Sequence, residues 1–173
     1  GAVAYACKEW AVKLKFLLTG GKKADTNAEK IPIVIFSDDK RYWSVFKPIC
    51  EEMNSRGIDV VYMTASKDDP AFDENLQHLD AQFIGEGNRA FSKLNFLNAT
   101  MLISTTPGLD VFQWKRSKNV DYYVHVLHAA SNTCGYHMFG IDYYDAVLIS
   151  GNHHERDIRA LEKIRNLPAK ELV

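Results

Sequence analysis

Long apolar runs are missing from this chain: no stretch of about 18 or more apolar residues occurs, so no membrane span is expected. Cysteine is scarce. Cys7, Cys50 and Cys134 lie far apart, without Cys-x-x-Cys or Cys/His spacing, so neither a disulfide framework nor a zinc site is suggested and a reduced, cytosolic setting fits. Charge of one sign is also missing, and a formal net charge of -1 argues against a molecule built as a whole to bind nucleic acid. No P-loop, Ser/His/Asp order or metal-ligand spacing is present. There is no internal repeat and no low-complexity tract. Nor is there an initiator Met, and the Gly1-Ala2 opening predicts that the chain is cut from something longer.

What is present suits one globular domain. The 173 residues can bury a real core, and 46% hydrophobic with 25% charged residues excludes a disordered chain. In residues 3–18, Val3, Cys7, Trp10, Leu14 and Leu17 recur at helical spacing, which predicts an amphipathic helix. Five lysines against Glu9 give residues 1–23 a net charge of +4, the pattern of a helix lying on an anionic membrane. The other reading docks the Trp10 stripe on the domain or on a second copy, making a homo-oligomer. Gly20-Gly21 ends the helix, and residues 22–30 read as a linker.

From Ile31 the pattern becomes strand, helix, strand. The run Ile31 to Ser37 is nearly all apolar, as a strand covered on both faces requires. Asp38-Asp39 can cap a helix whose face is Trp43, Phe46, Ile49, Cys50 and Met53, with Pro48 predicting a kink or a regular helix that begins near Lys47. Residues 58–64 predict a second strand and complete one βαβ unit. Asp68-Asp69-Pro70 marks a turn, Phe72, Leu76 and Leu79 form a weak helical stripe, and residues 82–84 predict a short third strand.

Gly85-Glu86-Gly87-Asn88 then leads into a predicted helix over residues 89–97. A glycine pair there can cradle a phosphate, although a plain tight turn explains it too, and the third glycine of the dinucleotide fingerprint is absent. Residues 100–104 predict a fourth strand. It ends in Thr105-Thr106-Pro107-Gly108-Leu109, either a ligand loop or a helix-capping turn. Lys115-Arg116-Ser117-Lys118 is a small basic cluster, solvated or facing an anionic acceptor.

The fifth predicted strand lies in Tyr122-Tyr123-Val124-His125-Val126-Leu127-His128-Ala129-Ala130-Ser131. His125 and His128 are three apart and point to opposite faces, so they do not form a pair. His125 reads as a partly buried strand residue. His128 falls where ligands bind in open α/β sheets, with small neighbours, and an imidazole there can take a proton from an attacking hydroxyl. Its other reading is a structural histidine bonded to a backbone carbonyl. Residues 145–150 predict a sixth strand, followed by a helix through Ile158, Leu161 and Ile164, with His153 and His154 expected to be exposed in its first turn. The fold expected is α/β: a three-layer Rossmann-like domain with a mainly parallel sheet of about six strands, preceded by an amphipathic helix.

Several of these segments together resemble a known family. Residues 42–48 (Tyr-Trp-Ser-Val-Phe-Lys-Pro), 83–88 (Phe-Ile-Gly-Glu-Gly-Asn), 105–110 (Thr-Thr-Pro-Gly-Leu-Asp), 125–129 (His-Val-Leu-His-Ala) and 139–151 carry the likeness. They look like the amino-terminal domain of the CDP-glycerol glycerophosphotransferase family, the teichoic-acid primases and polymerases. The resemblance covers residues 31–165. It implies a GT-B architecture, in which two Rossmann-like domains face a cleft, the first handling a lipid-linked or polymeric acceptor and the second binding CDP-glycerol. It also implies attachment to the inner face of the cell membrane through a basic amphipathic region, here residues 1–23. The family's His-Gly-Thr-Pro motif matches His128-Ala129-Ala130-Ser131, with the histidine kept and the next three residues changed. The resemblance thus assigns His128 as the base that activates the acceptor hydroxyl.

The implied reaction is attack on the β-phosphate of CDP-glycerol with release of CMP. The donor-binding half has no counterpart in these residues, so the chain alone is expected to be inactive. The candidate ligand-binding residues are Thr105, Thr106, Gly108 and Ser131, and the candidate anion-binding residues are Gly85, Gly87, Lys115 and Arg116. No metal or other cofactor is expected, since helix N-termini and basic side chains can stabilise developing charge. A GT-B glycosyltransferase half using a nucleotide sugar and a catalytically silent binding module are the alternatives, the second motivated by the changed residues after His128.

Overall fold

The computed structural model describes residues 30–128, 136 and 139–173. The helix expected over residues 3–18, with its membrane or docking reading, the linker expected over residues 22–30 except Lys30, and Cys7, Cys134 and Ser131 lie outside the described residues.

The apolar run at Ile31–Ser37 forms β1, and Val60–Thr64, Leu79–Phe83, Ala99–Ser104, Val120–Val126, Ala146–Leu148 and Glu171–Leu172 form β2 to β7. All seven lie in one sheet of order β3-β2-β1-β4-β5-β6-β7, and every neighbouring pair is parallel. The helices are α1 (Trp43–Ser55), α2 (Asn88–Leu94) and α3 (Asn152–Arg165), with 3-10 turns at Lys40–Tyr42 and Pro70–Asp73. This is the Rossmann-like three-layer arrangement the sequence predicts. The sheet has seven strands among the described residues, one more than expected. The extra one, Glu171–Leu172, is two residues long and opens on a charge, so it has no apolar run to announce it.

Strand alternation divides the core in two. Ile33, Ile35, Met101, Ile103, Val124 and Val126 pack on one face with the Trp43, Phe46, Ile49, Cys50 and Met53 stripe of α1, which is buried as its spacing predicts. Val34, Phe36, Leu102 and Tyr123 face the other way, against Ala90 and Leu94 of α2 and Trp114. Beyond β5, Leu127 and Val147 continue this second face against Ile158 of α3. Burial pushes the Cys50 thiol up to about 12, so it behaves as an apolar core group rather than a nucleophile.

Several boundaries move. The regular part of α1 starts at Trp43 instead of near Lys47, because Asp39 accepts from Arg41 N (2.9 Å) and caps a 3-10 turn that hands the chain into the helix. Pro48 is accommodated inside it, at the cost of the bond its missing N–H would have made. Asp69 caps the turn Pro70–Asp73, and Leu79 opens β3 opposite Val60 instead of continuing a helical stripe. Parallel pairing with β2 thus outweighs the weak periodicity. α2 stops at Leu94, three residues short of the expected Leu97.

His154 is not exposed but fully buried. Its Nδ1 accepts from Ser150 N (3.3 Å), turning a histidine of the first helical turn back over the end of β6. Glu162 is buried with it, accepting from Lys170 N (2.7 Å) and Arg159 Nη1 (2.8 Å), while Ile164 is 80% exposed.

Candidate functional site

The strand order reverses between β1 and β4, which both run parallel with their carboxyl ends on one edge. In such sheets the crevice outside this reversal is where ligands bind, since the connections leave it in opposite directions. β1 delivers Ser37, Asp38 and Asp39 to that edge, β4 delivers Ser104, Thr105 and Thr106, and the adjacent β5 delivers His125 and His128.

Local hydrogen bonds set each of these segments. Ser37 Oγ donates to Asp39 O (2.8 Å), and the Asp39 cap orients the turn that carries Arg41 and Tyr42. After β4, Thr106 N donates to Ser104 Oγ (3.0 Å), and Tyr144 OH donates to Thr106 O (2.6 Å). Gly108, at φ 87°, turns the loop and its N–H reaches Gly140 O (2.7 Å). The backbone is therefore pinned while the side chains are not. Thr105 and Thr106 are buried, and both hydroxyl oxygens lack a hydrogen-bond partner among the described residues. Burial holds the Asp38 carboxyl above its ordinary range. The Thr106 hydroxyl faces it closely enough to draw it partly back down, without meeting hydrogen-bond geometry.

The two histidines are placed differently. His125 is fully buried, its Nε2 2.9 Å from Tyr136 OH and its ring 4.9 Å from that of Tyr144, with Nδ1 unpartnered among the described residues. Burial pushes it down to about 3, and the charge of His128 adds to the shift, so at neutral pH it is uncharged and a weak base. His128 is exposed beyond the end of β5, its ring 4.9 Å from that of Tyr42. Desolvation lowers its pKa, Asp38 raises it, and Arg41 lowers it. The net direction is down. At neutral pH the His128 imidazole is therefore unprotonated, the form a general base needs, with a carboxyl near enough to stabilise the imidazolium that would follow.

Thr105, Thr106 and His128 thus stand at the carboxyl edge of neighbouring strands. The four anion-binding candidates do not join them. Gly85 and Gly87 follow β3, at the far edge of the sheet. Gly85 has φ 111°, and a Cβ there would meet Arg89 Cβ at 2.9 Å, so close packing against the first turn of α2 accounts for it without a phosphate. Lys115 Nζ is bound to Asp110 O (3.1 Å). Arg116 donates to Asp145 Oδ2 (2.9 Å) and to Tyr143 O, and its guanidinium lies 4.5 Å from the Tyr123 ring centroid. These contacts hold both residues toward the amino ends of β5 and β6.

Asp38, Arg41, Tyr42 and Tyr144 belong to the site but escaped sequence reasoning. Asp38-Asp39 looked like caps only, and that β1 and β4 are neighbours cannot be read from their distance along the chain. Among the described residues no cluster of three or more His, Cys, Asp or Glu could hold a metal, and no helix is long and apolar enough to cross a membrane. No family model matches the chain, and neither a curated protein nor a solved structure matches it.

Proposed function

We propose that this chain is the acceptor-side domain of a glycerophosphotransferase-like enzyme of cell-envelope polymer synthesis, working at the cytoplasmic face of the membrane. The observation that supports it is His128, unprotonated at neutral pH and open to solvent, beside the β1/β4 reversal with Asp38 and two unpartnered threonine hydroxyls. The acceptor hydroxyl gives its proton to the His128 imidazole as its oxygen attacks the β-phosphorus of CDP-glycerol held by a second domain. The bond from that phosphorus to the bridging oxygen breaks, CMP leaves with the electron pair, and a phosphodiester remains. Asp38 stabilises the imidazolium, and the Thr105 and Thr106 hydroxyls orient the acceptor.

The test supplies CDP-glycerol and a lipid-linked glycerol phosphate acceptor to this domain joined to its donor-binding domain and measures CMP release. His128→Ala should slow release by about 10²- to 10⁴-fold, the usual worth of a general base. An unchanged rate would remove His128 from the mechanism. If thermal stabilisation by nucleotides shows a nucleotide sugar bound in place of CDP-glycerol, the donor is a sugar and the glycerophosphate assignment fails.

A further inference from the structure

The surface farthest from ordinary protein character lies on α2 and the segment after β4, away from the histidines. Residues 109–118 run beside α2 on one face of the sheet, joined to it by the stacked rings of Phe91 and Trp114 (5.9 Å, 8°). Asn95 ties them again, its side chain bonding Gln113 O (3.0 Å) and Lys115 N (2.7 Å), and Ser117 Oγ bonds Leu97 O (2.7 Å). On the outside of this paired layer, Phe96 is 84% exposed and Phe112 69%. No other phenylalanine among the described residues is exposed to that degree.

The same two segments carry Arg89, Lys93, Lys115 and Lys118, all exposed, and none forms an ion pair among the described residues, Lys115 Nζ being held only by a carbonyl, Asp110 O (3.1 Å). Of the acids in these segments, Glu86 faces Lys67 Nζ (3.6 Å), while Asp110 Oδ1 accepts only from a backbone N–H, that of Arg116 (3.4 Å). With the Asp110 carboxylate set against the four cations, the result is a local excess of three positive charges on a molecule of net charge -1. Exposed rings and exposed cations on adjoining segments match the interfacial region of an anionic bilayer, where aromatic rings enter the headgroup layer and ammonium groups meet lipid phosphates. A protein partner fits less well, since lysine is depleted from the core of protein interfaces.

We propose that the outer surface of α2 and residues 109–118, centred on Phe96 and Phe112, docks on an anionic phospholipid bilayer. This surface includes none of residues 1–23, and the inference holds whatever group the His128 site transfers. The test is flotation of the whole chain with phosphatidylcholine vesicles, with and without phosphatidylglycerol. The chain should float with the phosphatidylglycerol vesicles and be released by salt. Two double variants carry the patch alone: Phe96→Ser with Phe112→Ser, and Lys93→Glu with Lys118→Glu. Each should lower binding about tenfold or more, with an unchanged melting temperature confirming that the fold is intact. If wild type fails to float, or if either double variant floats as well as wild type, attachment lies elsewhere and the proposal falls. Tighter binding of wild type to a single-stranded oligonucleotide than to the vesicles would overturn it in favour of base stacking on the same rings.

Discussion

The two ends of this parallel sheet differ in the buried polar groups they leave unpaired, although ion pairs stand at both, Lys40 with Asp68 and Lys67 with Glu86 lying past the carboxyl ends of β1, β2 and β3. At the amino end charges are matched, Lys30 with Asp121, Arg116 with Asp145 and Arg165 with Asp142, and His78 Nδ1 lies 2.7 Å from Asp59 Oδ1. At the carboxyl end the buried hydroxyls of Thr105 and Thr106 and the Nδ1 of His125 have no partner among the described residues. An unpaired buried polar atom costs stability, whereas a hydrogen-bonded one contributes about 1 kcal/mol. The amino end is thus arranged to hold the sheet, and the carboxyl end keeps polar groups ready for something outside the fold.

That contrast can be broken from either end. The largest effect expected is His128→Ala, which should abolish most transfer in the complete enzyme while changing the unfolding free energy of this chain by less than about 0.5 kcal/mol, as for an exposed residue. Comparable losses of activity and stability would show that His128 is structural. Next is Asp145→Ala. Asp145 accepts from the buried Tyr123 N (2.8 Å) as well as from Arg116, so its loss strands the Tyr123 N–H and leaves Arg116 only Tyr143 O and solvent, and should cost about 2–3 kcal/mol in urea unfolding. A loss below 1 kcal/mol, well under that estimate, would mean water replaces the carboxylate and the matched end is not a brace.

His125 gives a pH signature between these extremes. Its folded pKa, about 3, lies below the unfolded value of 6.5, so between those pH values the unfolded chain holds the extra proton. Stability should therefore fall as pH drops through that window, by up to about 1.4 kcal/mol per pH unit, and be flat with respect to this group above it. His125→Phe keeps a ring beside Tyr144 and should flatten the slope. An unchanged slope would assign the acid sensitivity to other groups. The smallest effect is Thr106→Val, which removes an unpartnered hydroxyl and should change stability by less than about 1 kcal/mol. In calorimetric titration the same variant should weaken binding of a glycerol phosphate oligomer, and equal affinity would take Thr106 out of the ligand site.

Much of the scaffold was legible because it rests on local patterns. The α1 stripe from Trp43 to Met53 and the apolar run of β1 report their burial through spacing alone. The reading failed where a partner decided. Leu79 joined β3 because β2 was beside it, and His154 turned inward because Ser150 offered an N–H to its Nδ1. Lys115 and Arg116 looked like a free basic cluster until Asp110 O, Tyr143 O and Asp145 claimed them.

The candidate site divides along the same line. Its histidine could be picked out from sequence, because a strand's end and small following residues are local facts. That Asp38 stands with it is not local: 90 residues of chain separate Asp38 from His128. By itself the sequence determined the alternation of strands and helices, the α1 face that enters the core, and His128 as the residue to examine, all consequences of short-range periodicity. Only the tertiary structure decided the strand order, and hence the reversal between β1 and β4 that brings Asp38, Thr106 and His128 to one edge. Strand order is set by which apolar faces pack together across the whole sheet, and no window of sequence contains that information.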